Sequence, residues 1–160
     1  NMAIRAALTG HLVFSTIHTN SAIGTISRLL DMGIPSFLIA NALKLSVAQR
    51  LVRKLCNHCK SASPINNARF PLNFKVPSNL REHYISCGCE KCHYTGYKGR
   101  IAIYELVPIT TELAKLIKEN RVNLESYLEN NNITTLKDKA LEMLINGITS
   151  VEEVYSFISD

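Results

Sequence analysis

Apolar and polar positions change period several times along the chain, and each change marks an element. Ala3, Ile4, Ala6, Ala7 and Leu8 make a helical run from the first residues to Gly10, a residue type that ends helices. A chain that opens inside a helix reads as a piece of a longer protein. His11 to Thr16 has the β-branched and aromatic content of a short buried strand and leads into the polar loop His18-Thr19-Asn20. Asn20 or Ser21 can cap a following helix, whose Ile23, Ile26, Leu29 and Leu30 recur at helical spacing until Gly33. Pro35 suits the first turn of another helix ending near Leu45. From Ser46 to Leu55 two periods compete: Val47, Leu51, Val52 and Leu55 fit a helix, while Leu51, Arg53 and Leu55 fit strand alternation, and the strand is preferred.

The pattern then loses its long apolar runs. All five cysteines lie between Cys56 and Gly99, which suggests a region organised by a metal more than by a core, with a loop-like interior from Ser61 to Pro77. Arg100 to Val107 alternates as a strand that Pro108 closes. The remainder reads as helical. Leu113, Leu116 and Ile117 mark one amphipathic helix; Leu136, Ala140, Met143 and Leu144 mark another that ends at Gly147. Ser150 with Glu153 has the spacing of a capping box for a last helix through Val154, Phe157 and Ile158. No internal repeat or low-complexity tract interrupts this order. The expected class is α/β, divided into residues 1–55, a metal-organised element at 56–99, and a strand plus helices at 100–160.

Composition changes this picture little. With 46% apolar residues in 160, the chain can build a core, and disorder is not expected. A formal net charge of +5 permits an acidic partner, an anionic membrane surface or nucleic acid without demanding any of them. No apolar run reaches the roughly 18 residues of a membrane span, and no charged-then-apolar leader opens the chain. The expected location is the cytoplasm.

The cysteines carry the strongest chemistry. Cys56-Asn57-His58-Cys59 and Cys89-Glu90-Lys91-Cys92 are two pairs at two-residue spacing, and in each a tight turn can aim both sulfurs at one point about 2.3 Å from a tetrahedral zinc. Four thiolates close the shell, so such a site supports folding and leaves no position for water or substrate. The 29-residue interval between Cys59 and Cys89 is long for a compact ribbon, but its interior can loop out. Disulfides do not suit a cytosolic chain. Cys89-Glu90-Lys91-Cys92-His93 matches haem-attachment spacing but leaves Cys56 and Cys59 unexplained, and no strand–motif–helix context supports a thioredoxin-like role. Cys87 competes with Cys89 for a place in the shell, and the two-residue spacing favours Cys89. His58 and His93 are alternative ligands that read better as exposed or supporting side chains. A four-thiolate zinc leaves a local charge of about −2 that Lys54, Lys60, Lys91, Lys98 and Arg100 can partly offset.

The stretch from Ala6 through Thr9-Gly10-His11-Leu12-Val13-Phe14-Ser15-Thr16-Ile17-His18-Thr19-Asn20 closely resembles the histidine box of type II secretion and type IV pilus-assembly ATPases. Ala48 to Cys56 and Gly88 to Arg100 resemble the segments that flank the tetracysteine element of the same family. The three matches occur in the expected order, over about the first two thirds of the chain. The resemblance implies the carboxy-terminal part of a RecA-like (P-loop NTPase) core carrying an inserted zinc-binding element and a helical tail. It implies a cytoplasmic homo-hexamer, peripheral to the bacterial inner membrane, that uses ATP and magnesium to drive pilin-like subunits through a platform protein.

By the same resemblance His18 is the histidine facing the terminal phosphate of the nucleotide, and His11 is a second participant. A histidine where a strand gives way to a polar turn suits that role, since an imidazole can sense or stabilise phosphate charge. As a structural alternative His18 is a loop histidine bonded to backbone. No Gly in the chain is followed at the right spacing by Gly-Lys-Ser or Gly-Lys-Thr, so these 160 residues lack the phosphate-cradling loop and are expected to be inactive alone. The competing function is a free-standing zinc ribbon presenting Arg50, Arg53, Lys54, Lys60, Lys98 and Arg100 to nucleic acid or an acidic protein; only Tyr94 and Tyr97 supply aromatics for stacking, which disfavours nucleic acid. A pilus-retraction relative shares the histidine box but, by family resemblance, usually lacks the tetracysteine element.

Overall fold

The computed structural model describes residues 2–66, 70–71, 74–77, 80–120 and 124–159. Its chain forms two compact units, Asn1–Ala48 with Tyr104–Thr135, and Gln49–Ile103 with Leu136–Asp160. The helices are α1 (Met2–Leu8), α2 (Gly24–Asp31), α3 (Ser36–Ala42), α4 (Thr111–Lys118), α5 (Leu124–Asn130), α6 (Leu136–Ile145) and α7 (Val151–Ile158). The strands are β1 (Leu45–Leu55), β2 (Ser61–Pro64), β3 (Glu82–Ile85) and β4 (Tyr97–Pro108). β1 pairs with β4, and β2 with β3. The Ile109 N–H donates to Lys44 O beyond one end of the first pair and the Cys56 N–H to Gly96 O beyond the other, so β1 and β4 run antiparallel.

In the first unit, α1 stops as its sequence requires. The N–H groups of Gly10 and His11 donate to the carbonyls of Ala7 and Ala6, and Gly10 takes φ +94°, a left-handed value that costs little without a Cβ. Gly33 ends α2 in the same way at φ +77°. Ser21, one of the two expected caps, accepts the Gly24 N–H on its hydroxyl at 3.1 Å, but the N-cap position of α2 is Ile23, which makes no side-chain cap. Pro35 stands just before α3, which is shorter than expected and gives way to β1. Thr110 caps α4 by accepting the Leu113 N–H, and its hydroxyl also meets Tyr127 Oη of α5 at 2.8 Å. Ile26, Ile39, Val107, Leu113 and Ile117 form the core of this unit.

The strand expected over His11–Thr16 does not form. Residues 11–19 carry no regular structure, and Leu12 and Phe14 are 85% and 88% exposed. Branched and aromatic residues supply the tendency to extend, but a strand also needs a hydrogen-bonded neighbour, and neither sheet among the described residues includes this segment.

In the second unit the ambiguous stretch before Cys56 is strand β1. The Leu55 N–H donates to Ile148 O at 2.8 Å and the Thr149 hydroxyl to Arg53 O at 2.7 Å, which seats the turn between α6 and α7 along the strand. Val52, Leu55, Ile103, Leu144, Val151 and Val154 are buried here. Ser61 to Pro77 was expected as loop, yet Ser61–Pro64 pairs antiparallel with Glu82–Ile85, Ser61 opposite Ile85. Four polar or small residues ending in proline give no alternation to read, so this pairing is set by chain closure and not by local pattern. The part of the loop at 67–69 and 72–73 lies outside the described residues.

The capping box at the start of α7 is also a different device. Ser150 is the N-cap residue but makes no side-chain cap; its hydroxyl meets Tyr97 Oη at 2.7 Å. The Glu153 carboxylate leaves the helix start for Arg53, accepting from its backbone N–H at 2.8 Å and from Nε and Nη2 at 3.0 and 2.8 Å. The Arg53 guanidinium stacks on the Tyr97 ring at 4.0 Å. Burial pushes the Glu153 carboxyl up, but the Arg53 side chain and backbone N–H more than offset it and hold the group below its ordinary value.

A carboxyl with a lowered folded-state pKa contributes stability that is complete above the unfolded value of about 4.3 and is lost as pH falls through the folded one. Glu153→Gln is therefore expected to destabilise the second unit at pH 7 by about 1 kcal/mol, discounted because the Arg53 side chain is half exposed, and to flatten the acid limb of stability. Denaturant titrations from pH 7 to pH 3 check both; equal acid limbs in the two proteins would contradict it.

Candidate metal centre

Cys56 follows the last residue of β1, and the second cysteine pair precedes β4. The carbonyl of Cys56 accepts the N–H groups of Cys59 and Lys60 at 3.1 and 2.9 Å, folding the first pair into a tight turn. The Cys89 carbonyl accepts from Cys92 and Tyr94 at 3.1 and 2.9 Å and folds the second. β2 starts just after Cys59 and β3 ends just before the second pair, so their pairing closes the long interval and brings Cys59 and Cys89 together.

The four sulfurs, Cys56, Cys59, Cys89 and Cys92, all lie within 4.8 Å of one another. Cys56 to Cys89 measures 4.0 Å, and Cys59 to Cys92 and Cys89 to Cys92 each measure 3.8 Å. A regular tetrahedron of sulfurs about 2.3 Å from a central zinc has edges of about 3.8 Å, so the donor set fits that ion. No cystine links these residues; all five cysteines are free thiols.

Cys92 Sγ accepts the N–H groups of Cys89 and Gly96 at 3.2 and 3.3 Å. Burial pushes this thiol up, but those two backbone donors outweigh it and bring it down to about 6. Burial pushes the Cys59 thiol up to about 12 against the Gly88 N–H, so a metal entering here displaces its proton. The second turn is held in unusual backbone: His93 and Tyr94 both take left-handed φ, at 52° and 60°. Gly88 at φ +92° has no room for a side chain, since a Cβ would stand 2.7 Å from Tyr94 O.

The alternatives left open by the sequence resolve around this cluster. Cys87 is exposed and outside it, His58 Nδ1 lies 3.4 Å from Lys91 Nζ, and His93 is exposed, so none of the three joins the four sulfurs. Lys60, beside Cys59, donates to Gly147 O at 2.8 Å and lies over the Tyr84 ring.

The histidine-box residues sit in the first unit. His18 is exposed in the irregular stretch before α2. His11 Nδ1 lies 3.2 Å from Ala6 O and 3.1 Å from the Thr9 hydroxyl; because a carbonyl only accepts, the Ala6 contact requires the hydrogen on Nδ1. A residue not singled out from the sequence is Glu105 on β4, 2% exposed, whose Oε1 accepts the Ala22 N–H at 2.7 Å and lies 3.4 Å from the Ile23 nitrogen. Its signal was available: in the strand expected over residues 100–107 it shares the inward parity of Ile103 and Val107.

Residues 1–156 match the Type II/IV secretion system protein family. The chain belongs to that family. It is 42% identical to the type IV pilus assembly ATPase TfpB of Acinetobacter baylyi, over 96% of this chain and 27% of that protein. It is 40% identical to the type IV pilus assembly ATPase PilB of Pseudomonas aeruginosa, over 99% of the chain and 29% of that protein. With the putative type II secretion system protein E of Escherichia coli K12 it shares 40% identity over 96% of the chain and 31% of that protein. The chain thus spans less than a third of the length of these relatives. The structure resembles that of the pilus retraction motor PilT with bound ADP at a TM-score of 0.64 and 25% identity, covering 99% of this chain and 36% of that one. The α/β fold of this secretion-family chain is accordingly RecA-like, with four cysteines placed to hold a metal ion. None of its helices is long and apolar enough to cross a membrane, among the described residues.

Cys59→Ser is expected to reduce bound metal from one equivalent to near zero and to lower the thermal midpoint of the second unit, while Cys87→Ser keeps both unchanged. Elemental analysis after purification without chelator, with melting curves, decides it; full metal retention in Cys59→Ser would exclude the four-sulfur site.

Proposed function

We propose that this chain is the carboxy-terminal portion of a hexameric ATPase that powers type II secretion or type IV pilus assembly from the cytoplasmic face of the inner membrane. In this reading residues 1–55 belong to the ATPase core, residues 56–99 hold structural zinc through Cys56, Cys59, Cys89 and Cys92, and residues 100–160 form the strand and helical tail. The observation that carries the reading is the tetrahedral convergence of four sulfurs in a chain whose relatives at about 40% identity are named as pilus assembly ATPases. Zinc supplies no chemistry in such a closed shell; it holds the ends of β1 and β4 and the two turns in place. Magnesium and ATP are bound by the whole motor, with platform and pilin-like proteins as its partners.

His18 faces the terminal phosphate in this reading. Phosphoryl transfer depends on positioning and on stabilising charge spread over the transferred oxygens, and an imidazole N–H aimed at that charge contributes to both. Support comes from the histidine box itself and from the exposure of His18, which leaves its ring accessible to a ligand. His11 bonds back onto the end of α1, so its part is to fix the approach to the box. The zinc-ribbon alternative loses support because Arg53 is committed to Glu153 and Tyr97, and Lys60 to Gly147, leaving fewer cations for phosphate contacts.

In the full-length protein His18→Ala is expected to lower kcat for ATP by about a hundredfold with a small change in KM, whereas residues 1–160 alone show no turnover above blank. Steady-state assays of both check this. Unchanged kcat in His18→Ala would remove the assigned role, and turnover by the isolated chain would contradict the expected dependence on a phosphate loop elsewhere.

A further inference from the structure

The buried carboxylate of Glu105 has no place in the histidine box or in the metal centre, yet it lies under the loop that follows His18. Its Oε1 accepts the Ala22 N–H at 2.7 Å and lies 3.4 Å from the Ile23 nitrogen, the two residues that lead into α2. Ser46 on β1 holds the other side of the same residue, donating its hydroxyl to Ala22 O at 2.8 Å. The Thr19 hydroxyl donates to Ser21 O at 3.0 Å, and the Ser21 hydroxyl accepts the Gly24 N–H. Ala22, Glu105 and Ser46 are all buried, so the bonds among these three are shielded from competing water, while those of Thr19 and Ser21 are half-buried. A carboxylate removed from water in this way is stable only where donors replace its hydration, and the N–H groups at a helix start are suited to that by their orientation and dipole.

We propose that Glu105 is the positioning residue of the histidine box, fixing His18 toward the terminal phosphate of a nucleoside triphosphate by tying Ala22 and Ile23 to β4. The inference rests on the role of His18 proposed above. His18 stands in a stretch with no ladder of its own, and the Ala22 clamp ties the end of that stretch to β1 and β4. Loss of that point lets the loop wander, and a displacement of about 1 Å at a group that must meet a transferring phosphoryl lowers turnover by up to about a hundredfold. Glu105 also satisfies the amides that would otherwise be open to an anion at the start of α2, which leaves the phosphate to the exposed His18.

The test uses the full-length protein with Glu105→Ala, Glu105→Gln, His18→Ala, the double variant Glu105→Ala with His18→Ala, and Val107→Ala as a buried control on the same strand. Glu105→Ala is expected to lower kcat tenfold to a hundredfold with KM for ATP within about twofold, Glu105→Gln to recover part of the loss through its remaining acceptor oxygen, and the double variant to match His18→Ala alone. Hydrogen exchange of residues 18–23 should rise in Glu105→Ala and not in Val107→Ala. Additive losses in the double variant, or exchange no faster than in the control, would overturn the proposal. Should His18→Ala leave kcat unchanged while Glu105→Ala alone loosens residues 18–23, the clamp stands and the role given to His18 is what fails. If Glu105→Ala does not fold, Glu105→Gln carries the same kinetic and exchange comparison.

Discussion

The convergence of four sulfur atoms, all within 4.8 Å of one another, is the constraint around which the second unit is arranged. Four thiolates at these separations would repel one another, and a dication held among them would turn that repulsion into binding, worth roughly 10–16 kcal/mol in small zinc-dependent folds. His93 and Tyr94 both sit in left-handed backbone, which costs about 1–2 kcal/mol for each residue with a Cβ, a cost that a metal term of that scale would exceed. Gly88 occupies the one neighbouring position where the approach of Tyr94 O leaves no space for any side chain. The site therefore selects backbone conformations that the local sequence would not choose.

The same constraint separates what could be read in the sequence from what could not. Each cysteine pair is local, and its two-residue spacing already contains the turn that aims the sulfurs; Cys56, Cys59, Cys89 and Cys92 were legible for that reason. The pairing of Ser61–Pro64 with Glu82–Ile85 was not, because its partners lie far apart in sequence and carry no alternation. The pairing and the convergence of Cys59 with Cys89 close the same interval, so each supports the other once the chain has folded. His11–Thr16 fails in the opposite sense: its residues favour an extended chain, but propensity does not provide a neighbouring strand.

Ser150 and Glu153 show a subtler limit. Their spacing is that of a capping box, and α7 does begin between them, so the helix was correctly placed by a motif whose chemistry is used elsewhere. Ser150 turns to Tyr97 and Glu153 to Arg53, with the Arg53 guanidinium stacked on the same Tyr97 ring. A charge-assisted contact in which two guanidinium N–H groups share one carboxylate oxygen is stronger than a neutral cap, and competition between the two decides where the carboxylate goes. Local spacing fixes where an element starts; the identity of the partner depends on which donors the folded chain brings within reach.

In the first unit the corresponding device is a buried carboxylate instead of a sulfur cluster. β4 alternates inward and outward, and at Glu105 a charged side chain takes an inward position between Ile103 and Val107. Leucine there would fill the space without a desolvation cost, so burial by itself gives no reason for a glutamate. What the glutamate adds is direction: its oxygen meets the Ala22 N–H at 2.7 Å while Ser46 meets the Ala22 carbonyl, and an apolar side chain of equal volume offers no such orientation. A residue fixed on both its donor and its acceptor side cannot rotate about its peptide planes without breaking a shielded hydrogen bond. The short loop from His18 to Ala22 thus starts from an anchored end although it belongs to neither sheet. Precision in an irregular segment, which propensity cannot supply, comes here from a buried polar pair gripping one backbone unit.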